Sequence, residues 1–173
     1  MIKIVNEDLH AFTKNGSFAS KVKCTIISHT FHLVLMIRLG QFLSKIPVIG
    51  AFFRLVIEYS IRIIFSSDIS LRARIGGGLV IMHGHDIVIG RDVVIGRNCK
   101  ILNGVTLGNK DTESTENQQP VVGDNVIIGT GAKILGKVVI GNNVKIGANS
   151  VVISDIAPDS VAVGIPARVT KGI

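Results

Sequence analysis

The sequence predicts a mainly β fold: a parallel β-helix of hexapeptide repeats preceded by an α-helical N-terminal segment. Three observations carry this: aliphatic residues recurring every six positions, glycines placed just after them, and a core stock that is aliphatic rather than aromatic. Hydrophobic residues form 47% of the 173-residue chain and charged residues 18%, with 19 Gly and no Trp. That balance excludes a disordered chain, and the length suits one domain with an appendage.

The first element is the segment 1–67. It holds eight basic side chains (Lys3, Lys14, Lys21, Lys23, Arg38, Lys45, Arg54, Arg62) against three acids (Glu7, Asp8, Glu58), a net +5, whereas residues 68–173 carry the remaining +2 of the chain's +7. The first 25 residues read as too polar for a secretory signal, which leads us to expect a cytoplasmic protein, at most one held at the inner face of the cytoplasmic membrane. From Ile26 to Phe65 the chain is strongly apolar, but Arg38, Lys45, Arg54, Glu58 and Arg62 interrupt it before the ~18 uncharged residues of a spanning helix accumulate. Leu33, Ile37 and Phe42, then Phe52, Leu55, Val56, Tyr59 and Ile63 after the break at Pro47, recur at three- and four-residue steps, the mark of two amphipathic helices. Two roles stay open for them: packing and subunit contacts, or a peripheral contact of residues 26–65 with an anionic membrane surface.

The second element runs from Asp68 to the end and changes period. Aliphatic residues stand at Ile69, Ile75 and Ile81, then at Ile89, Ile95, Ile101 and Leu107, then at Val122, Ile128, Ile134, Ile140, Ile146 and Val152, six apart within each set. The phase shifts at 82–88 and 108–121 are insertions in a repeat. Gly follows at 76, 90, 96, 108, 123, 129, 141 and 147, which reads as a turn every six positions. Four residues after most of the aliphatics comes a small or β-branched residue, such as Val93, Cys99, Ala132 or Ser150. Such a pattern fits neither a 3.6-residue period nor an alternating hairpin strand. Three hexapeptides make one coil of a triangular prism, with coils ~4.8 Å apart. The flat aliphatic faces near Ile127, Ile153 and Val161 need covering, so a homotrimer is expected.

Several chemistries are excluded at this point. Cys24 and Cys99 lie far apart with no CxxC, and only His83 and His85 of the five histidines fall in the repeat, so neither a structural zinc nor a three-histidine catalytic metal is expected. The excess charge has no aromatic platform beside it, so no nucleic acid partner is expected.

The stretches Asp68-Ile69, Ile75-Gly76 to His83, Val105 to Gly108, Gly129 to Gly136, Ile146 to Val152 and Gly164-Ile165-Pro166-Ala167-Arg168 together resemble the hexapeptide-repeat acyltransferases, most nearly their serine acetyltransferase branch. The resemblance covers residues 68–170, about three-fifths of the chain. It implies a left-handed helix, acetyl-CoA as acyl donor and no metal. It also implies that His83 is the general base and that Asp68, fifteen positions earlier, holds it. An attacking alcohol must shed a proton, imidazole is matched to neutral pH, and a carboxylate fixes its tautomer. The plainer readings are a turn histidine and a cap of the first coil. His85 is a second candidate for orienting the acceptor.

Against the resemblance stand two departures. Where serine acetyltransferases carry an aspartate for the amino group of serine the chain has Met82, and where they carry an Arg-His pair for the carboxylate it has Gln118-Gln119 before Pro120. Unpaired charges in a site are costly, which turns the expected acceptor toward a sugar hydroxyl. Met82, His85, Asn103, Gln118 and Gln119 would then line the acceptor site, in the manner of exopolysaccharide acetyltransferases such as the colanic acid type. L-Serine remains the alternative acceptor, and a non-enzymatic trimeric scaffold the second alternative. For the donor, the resemblance implies pantetheine amides near Gly108, Asn109, Thr130 and Ala148, with Lys133, Arg168 and Lys171 toward the phosphates. The insertion 109–120, free of aliphatic residues, is read as an arm reaching a neighbouring subunit.

Overall fold

The computed structural model describes residues 1–14, 16–111, 113 and 118–170. Four helices come first: α1 Ile2–Thr13, α2 Phe18–Ile27, α3 His29–Leu43 and α4 Gly50–Phe65. A parallel β-solenoid follows, its faces three sheets. Sheet A stacks β1 (Asp68–Ile69), β4 (Val88–Ile89), β7 (Thr106–Gly108), β10 (Lys133–Leu135) and β13 (Val151–Val152). Sheet B stacks β2 (Arg74–Ile75), β5 (Val94–Ile95), β8 (Val121–Val122) and β11 (Val139–Ile140). Sheet C stacks β3 (Val80–Met82), β6 (Lys100–Leu102), β9 (Ile127–Ile128), β12 (Lys145–Ile146) and β14 (Val161–Gly164), and the antiparallel β15 (Ala167–Thr170) closes its far edge.

Every residue of the six-step aliphatic series named above is buried on the prism axis, from Ile69 to Val152. The small slots Val93, Cys99, Val105, Val126, Ala132, Val138, Val144 and Ser150 are buried with them. Each large side chain contributes roughly 1.5–3 kcal/mol by leaving water. Burial also pushes the Cys99 thiol up to about 11, which keeps it protonated and inert.

The repeated glycines serve a different purpose from the one their spacing suggests. Gly76, Gly96, Gly123, Gly129, Gly141 and Gly147 are not at positive φ; the left-handed corners fall instead on Asn98, Asn125, Asn143, Asn149 and Asp159, with Gly78, Gly104 and Gly131. What excludes a side chain at the repeated glycines is the next coil. A Cβ on Gly76 would stand 2.6 Å from the carbonyl oxygen of Gly96, and one on Gly129 would stand 2.7 Å from the nitrogen of Ala148. Asparagine tolerates the left-handed conformation and adds a ladder between coils. The Asn98 amide donates to Asn125 at 3.4 Å, Asn125 to Asn143 at 3.1 Å and Asn143 to Asp159 at 2.8 Å.

The strand registers locate the insertions. Coils advance by 20 residues from Asp68 to Val88, 18 from Val88 to Thr106, 27 from Val94 to Val121, 18 from Val121 to Val139 and 16 from Lys145 to Val161. Against an 18-residue coil, two extra residues widen the corner between β3 and β4, and nine extend the one between β7 and β8.

The helices seal the first coil. A solenoid's terminal coil presents unpaired backbone groups, a liability that must be covered. Arg38 donates to the carbonyls of Ile75 (2.8 Å) and Gly76 (2.6 Å), Gln41 donates to that of Ala73 (2.9 Å), and Asp8 accepts from the amide of Leu79 at 2.9 Å. Glu58 accepts from the amide of Leu71 at 2.8 Å. Arg38 and Asp8 are themselves joined by two bonds of 2.8 and 3.1 Å, with Asp8 fully buried. Residues 1–25, read as polar, thus contain α1 and most of α2, and Asp8 is the inward anchor of α1. On α4 the stripe Phe52, Leu55, Val56, Tyr59 and Ile63 faces outward, while Ile61 and Phe65 are buried. Among the described residues no single helix is long and apolar enough to cross a membrane.

Asp8→Ala is expected to cost about 3–5 kcal/mol, because it strands a buried guanidinium. Replacing both partners with apolar residues (Asp8→Leu with Arg38→Met) is expected to restore little, since the carbonyls of Ile75 and Gly76 and the amide of Leu79 stay unpaired. Urea unfolding checks both; recovery of the double variant to near parental stability would refute the capping role.

Candidate active site

The three edges of the prism differ. The edge between sheets C and A carries residues 83–87, 103–105, 130–132 and 148–150, one corner per coil. The amide of Gly104 donates to the carbonyl of His85 (3.2 Å), that of Gly131 to Asn103 (2.9 Å) and that of Asn149 to Thr130 (2.8 Å). His83, His85, Asn103, Thr130 and Ala148 therefore form one column. The edge between sheets A and B carries Gly108, Asn109, Gln118 and Gln119. The edge between B and C carries the asparagine ladder.

His83 sits in the widened corner with φ 55°, a conformation histidine adopts rarely. It lines two clefts. One is lined by His29, Thr30, Ile64, Phe65, Ser66, Gly84 and His85. The other is lined by Lys14, Phe12, Thr30, Val80, Met82 and Lys100. Lys14, the left-handed C-cap of α1, and Lys100 on β6 thus stand beside Met82 and His83. Nothing in the local sequence signals Lys14, because tertiary packing alone brings α1 over β3, whereas Lys100 is set there by the register of β6 on β3, which pairs it with Val80.

Asp68 is on the neighbouring rung, its amide donating to the carbonyl of Ile87 at 2.8 Å. Its carboxylate does not meet His83. It accepts from Arg62 at 2.6 Å, both side chains more than half exposed, and the pairing raises the pKa of the arginine. Arg62, in the last turn of α4, reaches the carboxylate first because it lies only six residues away on the rigid helix that leads into β1. The bond to Arg62 uses Oδ1, so the inferred support of His83 requires the carboxylate to bring its other oxygen to the imidazole.

The acceptor candidates divide. Met82 is 44% exposed beside His83. Asn103 accepts from the Thr130 hydroxyl at 3.2 Å, so these two hold each other in the column. Gln119 lies across sheet A, where its Oε1 accepts from the amide of Asp92 at 3.0 Å and fills the notch over Gly90. Asp124 does the same for Arg97, and Asn142 for Asp124, so Gln119 belongs to a series of corner caps. Gln118 is half-buried on the same edge.

The donor candidates divide too. A Cβ on Gly108 would meet nothing within 4 Å, and the side-chain oxygen of Asn109 next to it is buried without a hydrogen-bond partner. An open strip of backbone beside an acceptor that lacks a donor suits an amide-bearing chain such as pantetheine. Thr130 and Ala148 occupy equivalent corners of consecutive coils, since the flanking strands pair Ile127 with Lys145 and Lys133 with Val151. Lys133 lies along the coil: its ammonium donates to the Gly104 carbonyl (2.7 Å) and the Thr106 hydroxyl (3.0 Å), which leaves one of its three donors for a phosphate. Arg168 is exposed on β15. Lys171 and most of the tip of the 109–120 arm lie outside the described residues. Among the described residues no group of three or more His, Cys, Asp or Glu side chains is placed to hold a metal.

Comparison with known proteins places these features. Residues 119–154 match the family described as bacterial transferase hexapeptide (six repeats). A serine acetyltransferase of Buchnera aphidicola (subsp. Schizaphis graminum) is 38% identical over 145 residues, covering 83% of this chain and 54% of that protein. The chain thus spans about half the length of the curated relatives it matches. The soybean serine acetyltransferase structure complexed with serine superposes with a TM-score of 0.86 at 35% identity, over 97% of this chain and 68% of that one. A serine acetyltransferase structure in complex with CoA gives a TM-score of 0.84 at 32% identity, over 98% and 69%.

Two glycines on different edges separate coil packing from ligand space. Gly129→Ala is expected to destabilise by about 1–3 kcal/mol, as the backbone of Ala148 must move. Gly108→Ala is expected to change stability by no more than about 0.5 kcal/mol. Thermal unfolding of the two variants checks this, and equal losses would contradict the assignment.

Proposed function

Because the chain belongs to the hexapeptide-repeat transferases, we propose that it moves the acetyl group of acetyl-CoA onto a hydroxyl, with L-serine as the acceptor. The observation that carries this reading is His83, held in a strained corner between two clefts with Lys14 and Lys100 on one side. The names of the relatives favour serine. Against the departures at Met82 and Gln118-Gln119 stand two lysines from distant parts of the chain, Lys14 and Lys100, which would supply cations for a carboxylate.

In the proposed reaction the hydroxyl gives its proton to the imidazole of His83 as its oxygen attacks the thioester carbon. The C–S bond breaks, and the imidazolium returns the proton to the departing thiolate. Products are the acetyl ester and CoA. Asp68, turned so that Oδ2 reaches the imidazole, would stabilise the imidazolium. Gly108 and Asn109 would receive the pantetheine arm.

These groups stand on two different edges with sheet A between them, so a site using both takes one edge from each of two copies. That supports the homotrimer expected from exposed aliphatic faces, although of the three residues named for those faces only Ile153 is exposed, Ile127 and Val161 being half-buried, while Val121 and Val139 are exposed besides.

A second reading, a sugar hydroxyl of surface polysaccharide synthesis, has its own observation. Among the residues lining the two clefts there is no Asp or Glu to meet the ammonium of serine, and Met82 offers an apolar wall.

His83→Ala is expected to lower kcat roughly 100- to 10,000-fold without loss of fold, and Asp68→Asn by less. Near-parental turnover in His83→Ala would remove the general-base assignment. With L-serine as acceptor, Lys14→Met and Lys100→Met are expected to raise KM roughly tenfold while sparing kcat. Steady-state CoA release against L-serine and against saccharides separates the readings: efficient transfer to a saccharide and none to serine selects the second.

A further inference from the structure

We propose that the outer face of α4 and the loop before it form a docking surface for a lipid bilayer carrying anionic headgroups. The inference goes beyond the acetyl transfer above and does not depend on which hydroxyl is acylated.

An ordinary surface helix turns its apolar stripe inward. Helix α4 has two. Ile61 and Phe65 are buried against the body of the molecule, while Phe52, Leu55, Val56, Tyr59 and Ile63 stand outward at three- and four-residue steps, each more than 40% exposed. The stripe continues into the loop between α3 and α4, where Ile46 and Ile49 are exposed and Val48 is 99% exposed at φ 69°. A β-branched residue in the left-handed region is strained, and here it presents an isopropyl group at the tip of a loop, fully in water. So continuous an apolar face calls for an occupant.

The charges indicate which. All three acids of residues 1–67 point toward the solenoid. Asp8 is consumed by Arg38 and the Leu79 amide, Glu58 accepts from the Leu71 amide, and Glu7 pairs with Arg97 at 3.1 Å. Glu7 and Glu58 lie near Lys45 and Arg54, on one pocket wall and one helical turn away respectively, but both are committed to partners on the solenoid, so the helical segment keeps its net +5 with Lys45 exposed and Arg54 half-exposed close to the stripe. Apolar and aromatic side chains interleaved with cations, on a helix too short and too charged to span, is the composition of an interfacial helix. A second copy meeting this face through its own would set cation against cation. The same helix ends in Ile64 and Phe65, which line a cleft of His83, so a helix lying on the bilayer would bring that cleft to the headgroup layer.

Flotation of the full chain tests the proposal, using vesicles of phosphatidylcholine alone and of phosphatidylcholine mixed with phosphatidylglycerol. Binding is expected to the mixed vesicles, to weaken as salt is raised, and to fall roughly tenfold or more in Phe52→Asp/Leu55→Asp and in Lys45→Glu/Arg54→Glu. Both pairs are on the surface, and an unchanged far-UV spectrum and thermal midpoint would confirm that they fold. Absence of binding to the mixed vesicles, equal binding to neutral ones, or binding untouched by either pair would overturn the proposal. So would sedimentation showing that Phe52→Asp/Leu55→Asp breaks the oligomer of the parent chain, because the face would then be a contact between copies.

Discussion

The first coil of the solenoid depends on polar side chains that the helices carry to its open edge. Every later coil hydrogen-bonds to the one before it, but the first has none, and its outward carbonyls and amides would lie against apolar helices. Arg38, Gln41, Asp8 and Glu58 take the place of the missing coil. The Asp8 to Arg38 pair has no other outlet, since Asp8 is wholly buried and Arg38 nearly so. Burying a charge pair is expensive unless every remaining lone pair and proton is used, and here the backbone of the coil uses them. The same bonds fix how α1 and α3 sit, and thereby which side chains reach β3.

Along the prism, the coil separation sets the corner chemistry. Six positions per side leave room inside for one large aliphatic and one small residue, and room at the edges for no side chain wherever the next coil's backbone passes close. Glycine fills those points by steric necessity, whereas along the edge between sheets B and C the left-handed turn falls to Asn98, Asn125 and Asn143, each of whose amides donates to the next corner. Residues added to a coil must bulge at an edge. Two bulges interrupt this chain's repeat, and both carry candidate function: one holds His83 and His85, the other opens beside Gly108 and Asn109.

The two bulges lie on different edges, and that separation governs the functional reading. A base on one edge and an open backbone strip on the other cannot act on one substrate within one narrow prism, whereas neighbouring prisms can bring the two edges face to face. The arrangement of Asp68 adds a second condition. Its carboxylate is bonded to Arg62 through Oδ1, so support of the imidazole would need the second oxygen to turn toward His83 and is not a preformed dyad. Lys14 and Lys100 change the electrostatics of the cleft in the direction a carboxylate-bearing acceptor requires.

Much of this architecture is legible in the sequence, because a solenoid is a local rule repeated. The series from Ile69 to Val152 names the inward residues, and its phase breaks name the bulges, with no knowledge of distant contacts. His83 is legible for the same reason, standing where the period slips. Neither the spacing of charges nor apolar periodicity reveals that Asp8 is an anchor, that Lys14 faces Met82, that Gln119 caps Asp92 or that Arg62 holds Asp68. Those pairings join residues on different helices and coils, and they are set by how α1, α3 and α4 pack on the first coil. The stripe on α4 shows the limit most plainly. Periodicity identifies an apolar face at Phe52, Leu55, Val56, Tyr59 and Ile63, but a helix with apolar residues on two sides can bury either, and packing of Ile61 and Phe65 on the solenoid left the first one in solvent.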